Sequence, residues 1–383
     1  MRALRFILPL LLVFALIWIG IWWYAQSQLV VGFQREEAKL REAGWTITHG
    51  PITRGSSPLA ASATVPNLKL TLPGAPGTRP TIDLPSFNER IDATSPFTVA
   101  MNLPHHFTVH AANGTQIAID ADLIEDNLYI SGHDFMPNAK RVLIGGSVRI
   151  NNLRASVANS NFPIVTIGAI RTHMRLNQDA DATETAVRLN ESFSNIAVSP
   201  MFVTLIHLPF NGEIEKYTTA LTVSGPDLKP ILTGQIAAPV TANSDPNTAF
   251  AHQLAAIGAL LRPWASHGGH GTLAVGLIIG PLNAKIDTAF TFDHALQPEG
   301  TGTVSATGLH AFFADIATAQ PRFANGLAAA TAATAPYMVK GADGHQKLSI
   351  ALALKNRSLS LNGKPTTTFP LVNWPPAASA PSK

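Results

Sequence analysis

The 383-residue sequence contains no cysteine. That excludes disulfides, thiolate-bound zinc, iron–sulfur clusters and a thiol nucleophile, and it leaves burial as the source of stability. Charge is scarce too. Only 13% of residues are Asp, Glu, Lys or Arg, the formal net charge is +3, and the basic residues are dispersed without interleaved aromatics. No nucleic acid is therefore expected as a partner. Also missing are a Gly-x-Ser-x-Gly elbow, Ser-x-x-Lys, His-Glu-x-x-His, a phosphate-cradling loop and a dinucleotide fingerprint. No catalytic residue, cofactor or metal is assigned on these grounds, and the chain is expected not to be an enzyme.

What the chain does contain is 28 glycines and 28 prolines among many Thr, Ser, Asn and Ala. This is the texture of a β-rich secreted protein, whereas a helical bundle would need more Glu and Lys. One uncharged run stands apart, from Phe6 to Trp23, behind Arg2 and Arg5. At about 1.5 Å per residue it approaches the hydrocarbon thickness of a bilayer, about 30 Å. The expected reading is a single transmembrane helix whose basic flank stays in the cytoplasm, with Trp22, Trp23 and Tyr24 at the far interface and the bulk of the chain in the periplasm. Ala25-Gln26-Ser27 offers a cleavage site, but the bulky residues before it and the length of the run favour an uncleaved inner-membrane anchor.

Beyond the run, Gln34 to Ala43 has helical propensity, with Glu37 and Arg41 at i,i+4 and Gly44 as a C-cap. Strands are then predicted at Trp45–Thr48, Leu59–Leu72, Phe97–Leu103, Phe107–Ala111, Ile117–Ile119, Val142–Ile150, Arg171–Leu176, Thr218–Val223 and Leu273–Ile279, with Asn113-Gly114 as a hairpin turn. Asp245-Pro246 opens an amphipathic helix that carries Phe250, Leu254, Ile257, Leu261 and Trp264 and should end near Pro263. A second helix is expected around Leu309–Ile316, stopping before Pro321, and a third from Ala324 to Ala335. Leu348–Leu354 and Leu359–Leu361 read as closing strands, with Asn362-Gly363 as a turn.

The residues with chemistry to offer read as ordinary surface. His267-Gly268-Gly269-His270 would let two imidazoles approach one ion, but no third ligand is near in sequence, so a solvated loop is favoured. His105 and His106, adjacent on a strand, point to opposite faces. Asp179, Asp181 and Glu184 have calcium-loop offsets without the loop's glycine or closing Glu, which leaves a polar hairpin turn. Asp120, Asp122, Glu125 and Asp126 read as a solvated edge. The feature that does stand out is Leu273–Ile279, apolar at every position, which implies cover on both faces. Helix and strands supply one account of that cover. The other is a groove for an acyl chain, with Phe250, Leu254, Ile257, Leu261, Trp264, Leu273, Val275, Leu277 and Ile279 as its candidate lining.

Several of these stretches together resemble an uncharacterised proteobacterial family, catalogued as domain of unknown function 2125. They are Gly44-Trp45-Thr46-Ile47 with Gly50-Pro51 and Pro58-Leu59; Trp264 with Gly268-Gly269; Phe292-Asp293 with Leu296-Gln297-Pro298-Glu299-Gly300; and Leu359-Ser360-Leu361-Asn362-Gly363-Lys364. Gly55-Ser56-Ser57-Pro58 stands where the family has a Gly-Trp-Pro turn. The resemblance implies a membrane-anchored envelope protein and carries no catalytic residues.

The resulting expectation is a mainly β fold with a few helices (α+β): a long curved antiparallel sheet covered by amphipathic helices, behind an N-terminal transmembrane helix. Residues 1–27 form the anchor, 28–44 a juxtamembrane helix, 45–374 a β-rich extracytoplasmic domain and 375–383 a disordered tail. The expected role is non-catalytic binding or handling of lipid or another apolar envelope component. A structural or partner-binding scaffold is the alternative, and a hydrolase the third reading.

Overall fold

Alternation of apolar and polar side chains, with a period of two, sets the architecture of the computed structural model. It describes residues 2–57, 59–74, 79–130, 143–158, 160, 162–232, 258–259, 261–341, 344 and 346–375, with nothing said of the side chains of residues 2–17, 143, 206, 230 and 231. The described chain is mainly antiparallel β-sheet with few helices, and it divides into two compact units. The first comprises residues 1–150 and 156–160; the second comprises 151–155 and 161–383.

The first unit begins with α1 (Arg2–Glu42), one uninterrupted helix. Gly44, at φ +88°, ends it, with Trp45 N donating back to Leu40 O at 3.0 Å, and the expected Glu37–Arg41 ion pair forms at 2.6 Å. Among the described residues no helix is long and apolar enough to cross a membrane. The second half of α1 lies against β1 (Thr46–Thr48), β3 (Ala60–Thr71) and β4 (Thr81–Asp92). Ala25, Leu29 and Val30 pack on Ala61, Ala63, Ile91, Val99 and Ile130, and Phe33 packs near Ile47, Val65, Leu68 and Leu84. Leu29 is fully buried.

In this unit β3 pairs with β1, β2 (Thr53–Arg54) and β4. The strand β4 pairs with β5 (Thr98–Asn102) at one end and β6 (His106–His110) at the other. β6 forms the expected hairpin with β7 (Gln116–Asp120), and β5 pairs with β8 (Leu123–Ile130). β9 (Leu143–Val157) contributes residues to both units. Midway along β3 the inward side chains change parity, from Ala61, Ala63 and Val65 to Leu68 and Leu70. The switch falls at Asn67, held at φ +51°, a left-handed conformation that Asn tolerates better than other residues with a Cβ.

The second unit is an antiparallel ladder. Its strands are β10 (Pro163–Leu176), β11 (Thr185–Val198), β12 (Glu213–Ser224), β13 (His270–Ile279), β14 (Leu282–Phe292), β15 (Pro298–Thr307), β17 (Gln346–Lys355), β18 (Ser358–Leu361) and β19 (Lys364–Thr368). A short β16 (Met338–Lys340) joins the side of β17. Helix α2 (Pro200–Ile206) follows β11, and α3 (Leu309–Ala319) and α4 (Ala324–Thr334) follow β15. The last two match the sequence reading, and a 3-10 turn at Pro321 separates them. Near Pro263, however, the helix continues to Ser266, since His267 N still reaches Pro263 O at 3.0 Å.

Register puts Leu189, Leu221, Leu273 and Leu352 on one face of this ladder, with Val275, Ile286, Val304 and Ile350 beside them. The opposite face is mostly small and polar along β13: Thr222 beside Thr272, then Ala274, Gly276 and a Lys285–Asp287 ion pair open to solvent, before Ile278. Of the run Leu273–Ile279, Ala274, Gly276 and Ile278 thus fall on the opposite face, where Gly276 pairs with Thr218 and Lys285 and Ala274 with Asp287.

Candidate functional site

The residues proposed as a groove divide among several settings. Phe250, Leu254 and Ile257 lie outside the described residues. Trp264 is buried and Leu261 packs beside it, in a cluster with Ala180, Ala186, Leu228 and Ala265 that caps one end of the second unit's apolar face. Leu277 and Ile279 belong to the opposite end, under Leu309, Phe312 and Phe313. Leu273 and Val275 sit half-buried between the two, in register with Leu221 and with Ile286, which is 39% exposed.

Around Trp264 two of the family-like stretches meet, Trp264 with Gly268-Gly269 and Phe292–Gly300. Trp264 Nε1 donates to Ser224 O at 2.8 Å in the buried interior, and a Cβ on Gly269 would fall 2.5 Å from its ring, which is why glycine stands there. Phe292 meets Trp264 edge-on at 5.4 Å and Trp374 at 5.7 Å. Asp293 turns the β14–β15 connection by accepting from Ala295 N and Gln297 N, both at 2.8 Å. The buried Gln297 then clasps the C-terminal segment, donating to Val372 O and accepting from Val372 N, while Trp374 Nε1 donates to Leu296 O at 2.7 Å. These motifs build a closure of the β14–β15 connection onto the C-terminal segment.

The polar candidates stay apart. His267 Nδ1 lies 2.5 Å from Asp227 and His270 Nδ1 lies 3.1 Å from Gly268 O, both exposed. His105 meets Ala121 O whereas His106 meets Asp120. In the turn between β10 and β11, Asp181 accepts from Thr183 N, Thr183 Oγ1 and Glu184 N, and the Thr183 hydrogen bonds hold its carboxyl below the usual range. Burial pushes Asp126 up, and Glu125 reaches Arg149 at 3.9 Å. Among the described residues no group of three or more His, Asp or Glu is placed to hold a metal ion.

A cavity of about 770 Å³ opens in the first unit, where α1 approaches the ends of β3 and β4. Trp18, Ile21, Trp22, Tyr24 and Ala25 supply its helical wall; Leu59 to Ala61, Ile91 to Ala93, Pro96 and Phe97 supply the rest. Strand pairing makes the floor: Ala60 opposes Asp92, and Ala93 N donates to Leu59 O at 3.0 Å. Trp22 Nε1 fastens the wall to that floor through Ala60 O at 3.2 Å. Asp92 is the one charged side chain among the described residues of the lining, and it is met by Arg90, whose Nε donates at 2.7 Å. The rim is apolar and open, with Leu59 69%, Ile21 57% and Phe97 52% exposed. A volume in the range of small-molecule sites, lined by aliphatic and aromatic carbon with its single charge already paired, suits an apolar ligand.

Sequence reasoning missed this cavity because its walls come from four separate segments with no common spacing. The available signal was the cluster Trp22, Trp23 and Tyr24, which read as a membrane interface instead. The molecule so defined is a β-rich protein of two units, the first built around a long N-terminal helix with an apolar cavity beneath it. Over residues 22–370 it matches the family described as uncharacterized protein conserved in bacteria (DUF2125), and the chain belongs to that family. No curated protein and no solved structure matches it.

Proposed function

We propose that this chain is an envelope protein that crosses the inner membrane once through residues 6–23, carries its bulk in the periplasm, and holds a lipid or another apolar envelope component without catalysing a reaction. The observation that carries the reading is the apolar cavity under Trp18–Ala25, with its rim of Leu59, Ile21 and Phe97. Full-length protein extracted in mild detergent should carry lipid detectable by mass spectrometry. Ala93→Trp, at an exposed lining position, fills the cavity from its open side and should remove that lipid. Lipid-free parent protein, or unchanged lipid in the variant, would sink the reading. For the orientation, protease added to spheroplasts should digest the chain, and protection until lysis would reverse it.

A partner-binding scaffold is the second reading. Phe162, Met201 and Leu205, at 73%, 64% and 70% exposed, lie where β10 begins and β11 ends, an apolar patch of the kind that marks contact surfaces. A single photo-crosslinker at Leu205 should capture one defined neighbour in intact cells if this reading holds.

A further inference from the structure

We propose that the cavity is loaded sideways from the bilayer, so that its ligand is the acyl chain of a membrane phospholipid rather than an apolar molecule arriving through water. This rests on the proposed anchoring and lipid-holding role and adds the ligand's source and path. The helix α1 is continuous from Arg2 to Glu42, so its apolar run and its cavity wall are one rod. Among the described side chains the wall reaches back to Trp18, whereas the run ends at Trp23, and at about 1.5 Å per residue the overlap is roughly 8 Å of helix. The headgroup layer on one side of a bilayer is about 5–7 Å deep, so a cavity walled by this turn begins within the hydrocarbon.

The rod cannot swing away from the unit that carries the rest of the cavity. Ala25, Leu29 and Val30 are packed into that unit's core, and the buried Gln26 donates to Gly55 O. The large apolar side chains of the lining that stay exposed are Ile21, Leu59 and Phe97, a set suited to the membrane interface. An acyl chain can therefore pass from the outer leaflet over Leu59 and Phe97 without its methylenes meeting water.

Because the chain has no cysteine, Phe97→Cys gives a unique attachment point at an exposed site, and Leu59→Cys gives a second. The full chain bearing a nitrobenzoxadiazole dye at either thiol is placed in phosphatidylcholine vesicles. Nitroxide carried on the lipid acyl chain should quench the dye severalfold more than nitroxide in the water, and Ala93→Trp should abolish the excess. If lipid co-purifies but only the aqueous quencher works, loading comes from water: this inference falls and the lipid-holding role stands. If no lipid co-purifies and only the aqueous quencher works, both fall. Acyl-chain quenching that survives Ala93→Trp would mean that the rim touches the membrane and the cavity is not the path, which also overturns the inference.

Discussion

A Cβ in the left-handed region costs about 1–2 kcal/mol unless the side chain is one that tolerates it. Asn67, Asn152 and Asn195 meet this condition inside strands, at φ +51°, +51° and +53°. Asn67 is exposed, so its replacement tests the backbone without disturbing the core. Asn67→Val should destabilise the protein by about 1–2 kcal/mol and Asn67→Gly should be near neutral, read from urea midpoints. At Trp264 the stakes are higher, since its indole N–H is spent on a buried carbonyl. Trp264→Phe keeps most of the ring but leaves Ser224 O without this donor, a change expected to cost about 1–3 kcal/mol by the same measurement.

At the scale of elements, what was legible depended on whether one segment carried its own signal. The strands at 60–71 and 270–279, the Asn113-Gly114 hairpin and the helices beginning at Leu309 and Ala324 were plain from periodicity and turn residues. β4 was not, because Pro85, Asn88, Glu89 and Arg90 break its alternation, and burial of Leu84, Phe87 and Ile91 against its neighbours overrides that weak local preference. β11 hides similarly behind Asn190, Glu191 and Asn195. The parity change at Asn67 left no periodic trace either, since it interrupts the very alternation by which strands are recognised.

The C-terminal half of α1 has its own pH dependence. Burial raises the Glu37 carboxyl, but hydrogen bonds from Arg41 and His49 and their charges outweigh it, leaving its pKa below the usual value of 4.5. A lowered folded-state pKa contributes stability above the unfolded value and loses it as the pH falls through the folded one. Acidification below about pH 4.5 should therefore loosen the contact of α1 with the Ile47–His49 segment, to which Arg41 also donates through Ile47 O. In Glu37→Gln this acid-dependent part of the unfolding curve should flatten; an unchanged curve would remove Glu37 from the account.

Across the whole molecule, each unit has its own core. Leu29, Val65 and Leu68 centre those of the first, and Trp264, Leu282 and Leu348 those of the second. Leu29→Ala should cost about 2–5 kcal/mol, the range for truncation at a packed site. Hydrogen exchange should register that loss in the first unit's amides while those around Trp264 keep their protection. Uniform loss of protection would show that the two units unfold as one. Because Leu29 is part of this core and lies two residues beyond the Ala25-Gln26-Ser27 site, cutting there would strip Trp22, Ala25 and Gln26 from the fold that they hold.

The clasp formed by Gln297, Trp374 and Leu296 also bears on the order in which the chain is built. Trp374 completes a cluster that includes Ala180 and Ala186, so that end of the second unit stays open until nearly two hundred further residues have been made. During synthesis the emerging strands β10 to β15 present an apolar face with one margin still unsealed. Chaperone dependence should accordingly be greatest just before residues 372–374 appear, and it should end abruptly once they dock.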